Sequence, residues 1–134
     1  MDKAKFTPLK RIPTANGDVL HGLKCSDDDF SQFGEAYFSF IEPNKTKGWK
    51  MHKEMDMNLL VPIGDIQFHL YNDRNEYETF RINKDNYGRL MVPAGYWMAF
   101  EGKSENVSLL LNIASIEHDP KEARTKNLEE LEIR

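Results

Sequence analysis

"DIQFHLYND", residues Asp65–Asp73, alternates apolar and polar side chains without a break. Ile66, Phe68 and Leu70 fall on one face and Asp65, Gln67, His69 and Tyr71 on the other, the period-two pattern of a half-buried strand. The neighbouring segments extend this pattern. Upstream, Gly64 closes the apolar run "MNLLVPIG"; before it "KGWKMH" can be extended, and the aromatic stretch "EAYFSFIE" ends at Pro43-Asn44. Downstream, "NDRNE" is a turn, "YETFRI" a strand and "NKDNYG" a second turn, followed by three short strands in "RLMVPAG", "YWMAFEG" and "NVSLLLNIAS". Seven or eight short strands punctuated by turn signals predict an all-β protein, an antiparallel sandwich or barrel. Near the N-terminus, Asn16-Gly17 in "TANGDVLHGL" is a turn pair that would join two short strands. "SDDDFSQFG" reads as a loop or as one helical turn capped by Ser26. The charged tail from Asp119 places Pro120 at the first turn of a short helix, and its end, "NLEELEIR", is expected at the surface. The organisation expected is a single domain: strands and loop over 1–34, the β core over 35–118, and a helical or irregular tail over 119–134.

With 134 residues, 40% of them apolar, the chain can build one core. No run of about 18 apolar residues predicts a membrane helix. The opening "MDKAKFTPLK" lacks the apolar segment of a secretory signal. A single cysteine, Cys25, excludes an intrachain disulfide and fits a reducing cytoplasm. The formal charge of −4 argues against nucleic acid as a partner. It leaves room for a small anionic ligand, which responds to local charge, and Lys45, Lys47, Lys50 and Lys53 cluster within nine residues.

The segment "GWKMHKEMDMN", Gly48–Asn58, carries the most chemistry. In an extended strand Lys50 and His52 point the same way, and Trp49 and Met51 the other. Facing an interior, the pair would form a proton-transfer site: an imidazole is a suitable base near neutral pH, and an ammonium beside it can hold an oxyanion or a phosphate. Facing solvent, it would be an ordinary charged edge strand. A metal centre on such a strand needs two close histidines, a carboxylate and a third histidine on a later strand. Lys50 occupies the first of these positions, "GYWMAF" offers no histidine, and His21, His69 and His118 stand alone, so no metal is expected. Asn112 in "SLLLNIA" and Asn58 in "NLLVPIG" are lone amides in apolar strands and need hydrogen-bond partners, from a ligand or from neighbouring backbone. Tyr96 and Trp97 can stack on a ligand or pack in the core. Arg74, Arg81 and Arg89 can meet phosphates or remain solvated. No Gly-rich phosphate loop, nucleophile elbow or Cys/His dyad occurs.

Taken together, "GWKMHKEMDMNLLVPIGDIQFHLYNDR", "VPAGYWMAFEG" and "SLLLNIASIEHDP" resemble the cupin-fold sugar-nucleotide epimerases and ketoisomerases, in particular the WxcM-like group related to dTDP-4-dehydrorhamnose 3,5-epimerase. The likeness runs from about Glu35 to Pro120. It implies a cupin-type jelly roll, a homodimer without cofactor or metal, and a dTDP-4-keto-6-deoxysugar as substrate in surface polysaccharide biosynthesis. It also implies that His52, twelve residues before Gly64 as in the ketoisomerases, removes a proton next to the ketone. The ketoisomerases carry a second histidine where Lys50 stands. The lysine of the 3,5-epimerases falls at an apolar place near Met57, and their proton-returning tyrosine has no counterpart in "NIASIEHDP". Lys50 is therefore the candidate for the enolate contact and Tyr37 or Tyr96 for the acid. Trp49, Asn58, Trp97 and Asn112 are candidates to line the pocket, and Lys47, Lys53, Arg74 or Arg81 to meet the diphosphate. The alternative is a cupin that binds a sugar nucleotide without turning it over.

Overall fold

The computed structural model describes residues 2–134. Its strands are β1 (Lys5–Pro8), β2 (Arg11–Ile12), β3 (Val19–Leu20), β4 (Glu35–Ile41), β5 (Thr46–His52), β6 (Met57–Ile63), β7 (Ile66–Tyr71), β8 (Tyr77–Ile82), β9 (Gly88–Val92), β10 (Trp97–Gly102), β11 (Ser108–Ala114) and β12 (Ala123–Thr125). They form two five-stranded antiparallel sheets, ordered β1-β9-β6-β11-β4 and β12-β5-β10-β7-β8, with β2 and β3 as a separate ribbon. The sheets face each other as a jelly-roll sandwich. Apart from β7-β8, neighbouring strands of the two five-stranded sheets are not consecutive in the chain, so the core closes only when distant segments meet.

The eight strands read from "EAYFSFIE" to "NVSLLLNIAS" correspond to β4 through β11. Ile66, Phe68 and Leu70 are fully buried between the sheets with Leu59, Val61, Ile82, Leu90 and Val92, as the alternation predicts. Asn16-Gly17 does lie in the turn between β2 and β3. "SDDDFSQFG" is loop and turn without a helix. β1, which pairs with β9, and β12 carry no strand signal of their own; both owe their conformation to the edge they join.

Two bulges shape the sandwich. On β6, Val61 and Pro62 oppose the single residue Leu110 of β11. A bulge is where a proline inside a strand is tolerated, because no ladder bond is lost there. On β5, Gly48 and Trp49 oppose the single residue Ala99 of β10. This extra residue breaks strict alternation, so Lys47 lies on the same side as Lys50 and His52.

The outer faces are partly covered. The loop over 22–30 folds onto the first sheet and is pinned by Arg89, which is buried and donates to Asn58 Oδ1 at 3.0 Å, to the Gly22 carbonyl at 2.9 Å and to Asp29 Oδ2 at 2.9 Å. On the second sheet, Trp49, Tyr71 and Ala99 form a small cluster with Tyr77, Trp97 and Leu131. The tail lies across it, its carbonyls accepting from Trp49 Nε1 at Leu128 (3.0 Å) and from the Tyr71 hydroxyl at Glu132 (2.5 Å). This explains why Tyr71, on the polar face of Asp65–Asp73, is also buried; His69, on the same face, is buried against Tyr77 and Glu101, hydrogen-bonded to both at 2.7 and 2.9 Å. The tail residues are mostly exposed, as expected, and the tail also serves as a cover. No helix of the described residues is long and apolar enough to cross a membrane.

Candidate active site

A cavity of about 270 Å³ opens between the sheets, next to β4 and β5. Tyr37 and Ser39 of β4 and Lys47, Lys50 and His52 of β5 form its polar side. Met57, Leu59, Met98, Phe100 and Leu110 supply apolar walls, and Asn112 of β11 sits among them. Its size, just below the roughly 300 Å³ of the smaller ligand pockets, suits one sugar ring better than a whole nucleotide sugar. At the mouth, Lys47 Nζ donates to Ser39 Oγ at 3.1 Å across the gap between the two sheets and stands 5.7 Å from the Phe100 ring centroid.

His52 is 5% exposed and its Nδ1 is hydrogen-bonded to Oε1 of Glu122, a residue 6% exposed. The tail builds this contact. Asp119 caps the 3-10 turn Pro120–Glu122 by accepting from the Lys121 N–H, and proline suits the first position because no N–H is needed there. The chain then enters β12, where Ala123 pairs with His52. Glu122 is thereby brought to the imidazole from the start of the adjacent edge strand. Its Oε2 accepts from the Glu54 and Met55 N–H groups at 3.0 and 3.2 Å. Burial works to raise the Glu122 carboxyl, but the hydrogen bond with His52 and the two backbone donors outweigh it, so its pKa lies below the ordinary glutamate value. A carboxylate held ionised at Nδ1 places the imidazole proton on Nδ1. That leaves the Nε2 lone pair as the basic position on the cavity side.

Tyr37 is the phenol that borders the cavity: its oxygen accepts from Asn112 Nδ2 at 2.9 Å. Of the residues expected in the site, His52, Lys50, Lys47, Tyr37 and Asn112 come together here. The rest lie elsewhere. Tyr96 packs in the core away from this cavity, its hydroxyl accepting from the Ala4 N–H at 3.1 Å. Trp49 points to the opposite face of β5, under the tail. Trp97 is half-buried on that face, with Lys126 Nζ 4.7 Å from its ring centroid. Asn58 is spent on Arg89 and the Asp29 carbonyl. Arg81 forms a two-pronged pair with Asp65 at 3.0 and 2.7 Å, which lowers the Asp65 pKa, and Arg74 is exposed on the β7–β8 turn beside Glu76. No three metal-ligating side chains converge among the described residues.

Glu122 was not legible in the sequence. It stands seventy residues from its partner, in a charged tail where a glutamate is ordinarily solvated, and only the Pro120 turn signal hints that the segment is ordered.

No curated protein matches the chain. The family model described as "FdtA: WxcM-like, C-terminal" matches residues 2–129. A dTDP sugar isomerase from Desulfovibrio desulfuricans G20 is 32% identical, with a TM-score of 0.91 over 94% of this chain and 85% of that one. A sugar 3,4-ketoisomerase from Thermoanaerobacterium thermosaccharolyticum, solved with TDP, shares the fold at 19% identity and a TM-score of 0.77, covering 96% of this chain and 93% of its own. The dTDP-4-dehydrorhamnose 3,5-epimerase of Bacillus anthracis does so at 16% identity and a TM-score of 0.83, covering 97% and 83%. A match over nearly the whole chain, on a jelly roll that encloses a histidine-bearing cavity, identifies the protein as a member of the FdtA family of WxcM-like domains.

Proposed function

We propose that the protein is a sugar-nucleotide isomerase that moves a proton beside the ketone of a dTDP-4-keto-6-deoxysugar. The observation that carries this reading is the buried His52–Glu122 pair in the wall of a sugar-sized cavity with two lysines at its rim. A hydrogen on carbon next to a carbonyl is acidic only when the resulting enolate is stabilised, so the site needs a base, a charge partner for the oxygen and an acid for the return step. His52 Nε2 takes the proton from C3 or C5, and Glu122 steadies the imidazolium that forms. The C–H electron pair becomes the carbon–carbon double bond and the carbonyl pair moves to oxygen, next to the Lys50 ammonium. Tyr37 is the candidate to return a proton. Return to the starting carbon from the other face epimerises. Return to C4, with loss of the C3 hydroxyl proton, makes the 3-keto sugar. Lys47 and Lys53 would meet the diphosphate outside the cavity. We place the reaction in the cytoplasm, in surface polysaccharide biosynthesis.

We also propose a homodimer. Phe38 and Phe40 of edge strand β4 are 64% and 60% exposed, and their cross-strand partners Leu111 and Leu109 continue an apolar face on the outside of the first sheet. Exposed apolar surface of this extent on an edge needs cover.

The function is tested by following solvent deuterium into dTDP-4-keto-6-deoxyglucose with the wild type and His52→Asn. Incorporation by the wild type alone is expected. Equal exchange by both proteins, or none by either, removes the catalytic assignment. Nucleotide binding without exchange on a broad panel of keto sugars would favour a binding module, a reading supported by lysine standing where the ketoisomerases carry a second histidine.

A further inference from the structure

The cavity wall holds an acceptor with nothing to accept. Asn112 is 3% exposed, its Nδ2 is committed to the Tyr37 hydroxyl, and its Oδ1 is buried without a partner. The side chains around it on the inner wall, Met57, Leu59 and Leu110, have no hydrogen to donate. Along β11 the inward positions on either side of it, Leu110 and Ala114, are apolar. A leucine at 112 would complete the wall, whereas a buried carbonyl oxygen with no donor weakens the fold. Buried polar atoms are nearly always satisfied, so an orphan on a residue that lines a ligand-sized cavity points to a donor brought by the ligand.

The chemistry of that donor is restricted. Oδ1 offers only lone pairs, so it meets a hydroxyl or an N–H and never a ketone oxygen. The Tyr37 oxygen accepts from Asn112, so its own O–H proton is not spent in that bond. The pair therefore presents an acceptor beside a donor. A sugar with a hydroxyl on the carbon next to its carbonyl matches that pattern.

We infer that Asn112 is a specificity-determining residue whose Oδ1 accepts a hydrogen bond from the sugar hydroxyl adjacent to the ketone, the C3 hydroxyl of a 4-keto sugar. This rests on the function proposed above and adds to it the group by which the substrate is read. Asn112 also positions Tyr37, through Nδ2, for the proton it returns. A site built around a hydroxyl discriminates strongly against the ligand lacking it, because its own polar atom is then left unpaired.

The test uses ligands that lack the ketone and so are not turned over: dTDP-6-deoxyglucose, its 3-deoxy counterpart and dTDP alone. Each is titrated calorimetrically into the wild type and Asn112→Leu, and thermal unfolding of both free proteins is recorded. The wild type should bind the 3-hydroxy sugar about tenfold more tightly than the 3-deoxy one. Asn112→Leu should bind the two alike, bind dTDP as the wild type does, and unfold at the same or a higher temperature. A variant that keeps the hydroxyl preference overturns the inference. So does one that loses about tenfold in affinity for dTDP itself, because the donor would then belong to the nucleotide. A lower unfolding temperature with discrimination intact would make Asn112 a packing residue. If the wild type binds the sugar nucleotides without preference, only this inference falls; if it binds none, the proposed function falls with it.

Discussion

At the scale of single residues, Glu122 decides what His52 can do. A carboxylate at Nδ1 fixes the tautomer and stabilises the charged ring, while an amide there does neither. Glu122→Gln is therefore expected to lower kcat by about 10² to 10⁴ with little change in KM. A kcat within a few-fold of wild type would make the pair structural only. The same residue governs acid stability. The Glu122 pKa is lower folded than unfolded, so below the ordinary glutamate value of about 4.3 the unfolded chain binds more protons. The contribution of Glu122 is present above that value and is lost as pH falls through the folded pKa. Unfolding midpoints of the wild type should drop through this window, and Glu122→Gln, measured alongside, should show a shallower decline. Parallel curves would exclude Glu122 as a source of the acid sensitivity.

Among the elements, bulges and the tail place the side chains that alternation alone misassigns. Period two would set Lys47 opposite Lys50, but the extra residue at Gly48–Trp49 returns it to the cavity side. The turn between β6 and β7 is equally constrained. Gly64 has φ of +102°, and a Cβ there would clash with the Ser108 side chain. Gly64→Ala should cost about 1–3 kcal/mol from the backbone conformation alone, read by urea unfolding, with the clash adding to it. A cost within a few tenths of a kcal/mol would show that the turn relaxes freely. Removing residues 127–134 should uncover Trp49, Tyr71 and Tyr77 and remove a tail carbonyl that accepts from each of them. About 2 kcal/mol or more of stability should go, with a red shift of tryptophan emission. Unchanged emission would mean that the indole stays covered without the tail.

For the whole molecule, the site and the apolar face share one strand. Tyr37 and Ser39 of β4 face the cavity and Phe38 and Phe40 face outward, so association through the outer face would stiffen the strand that carries the phenol. Sedimentation should give twice the monomer mass for the wild type and a monomer for Phe38→Glu/Phe40→Glu. A monomeric wild type at micromolar concentration would sink the dimer, and an unfolded double variant would be recognised by circular dichroism.

Local pattern was sufficient for the eight core strands, for the inward set Ile66, Phe68 and Leu70, and for the shared side of Lys50 and His52. Side-chain period and turn chemistry are properties of neighbouring residues and can be read without the fold. The partner of His52, the burial of Trp49 beneath the tail, the diversion of Asn58 to Arg89, the loss of Tyr96 to the core and the unpaired oxygen of Asn112 were settled only by tertiary structure. Each depends on which distant segments a sandwich of non-consecutive strands brings together. A hydrogen bond spanning seventy residues leaves no trace in the spacing of either partner.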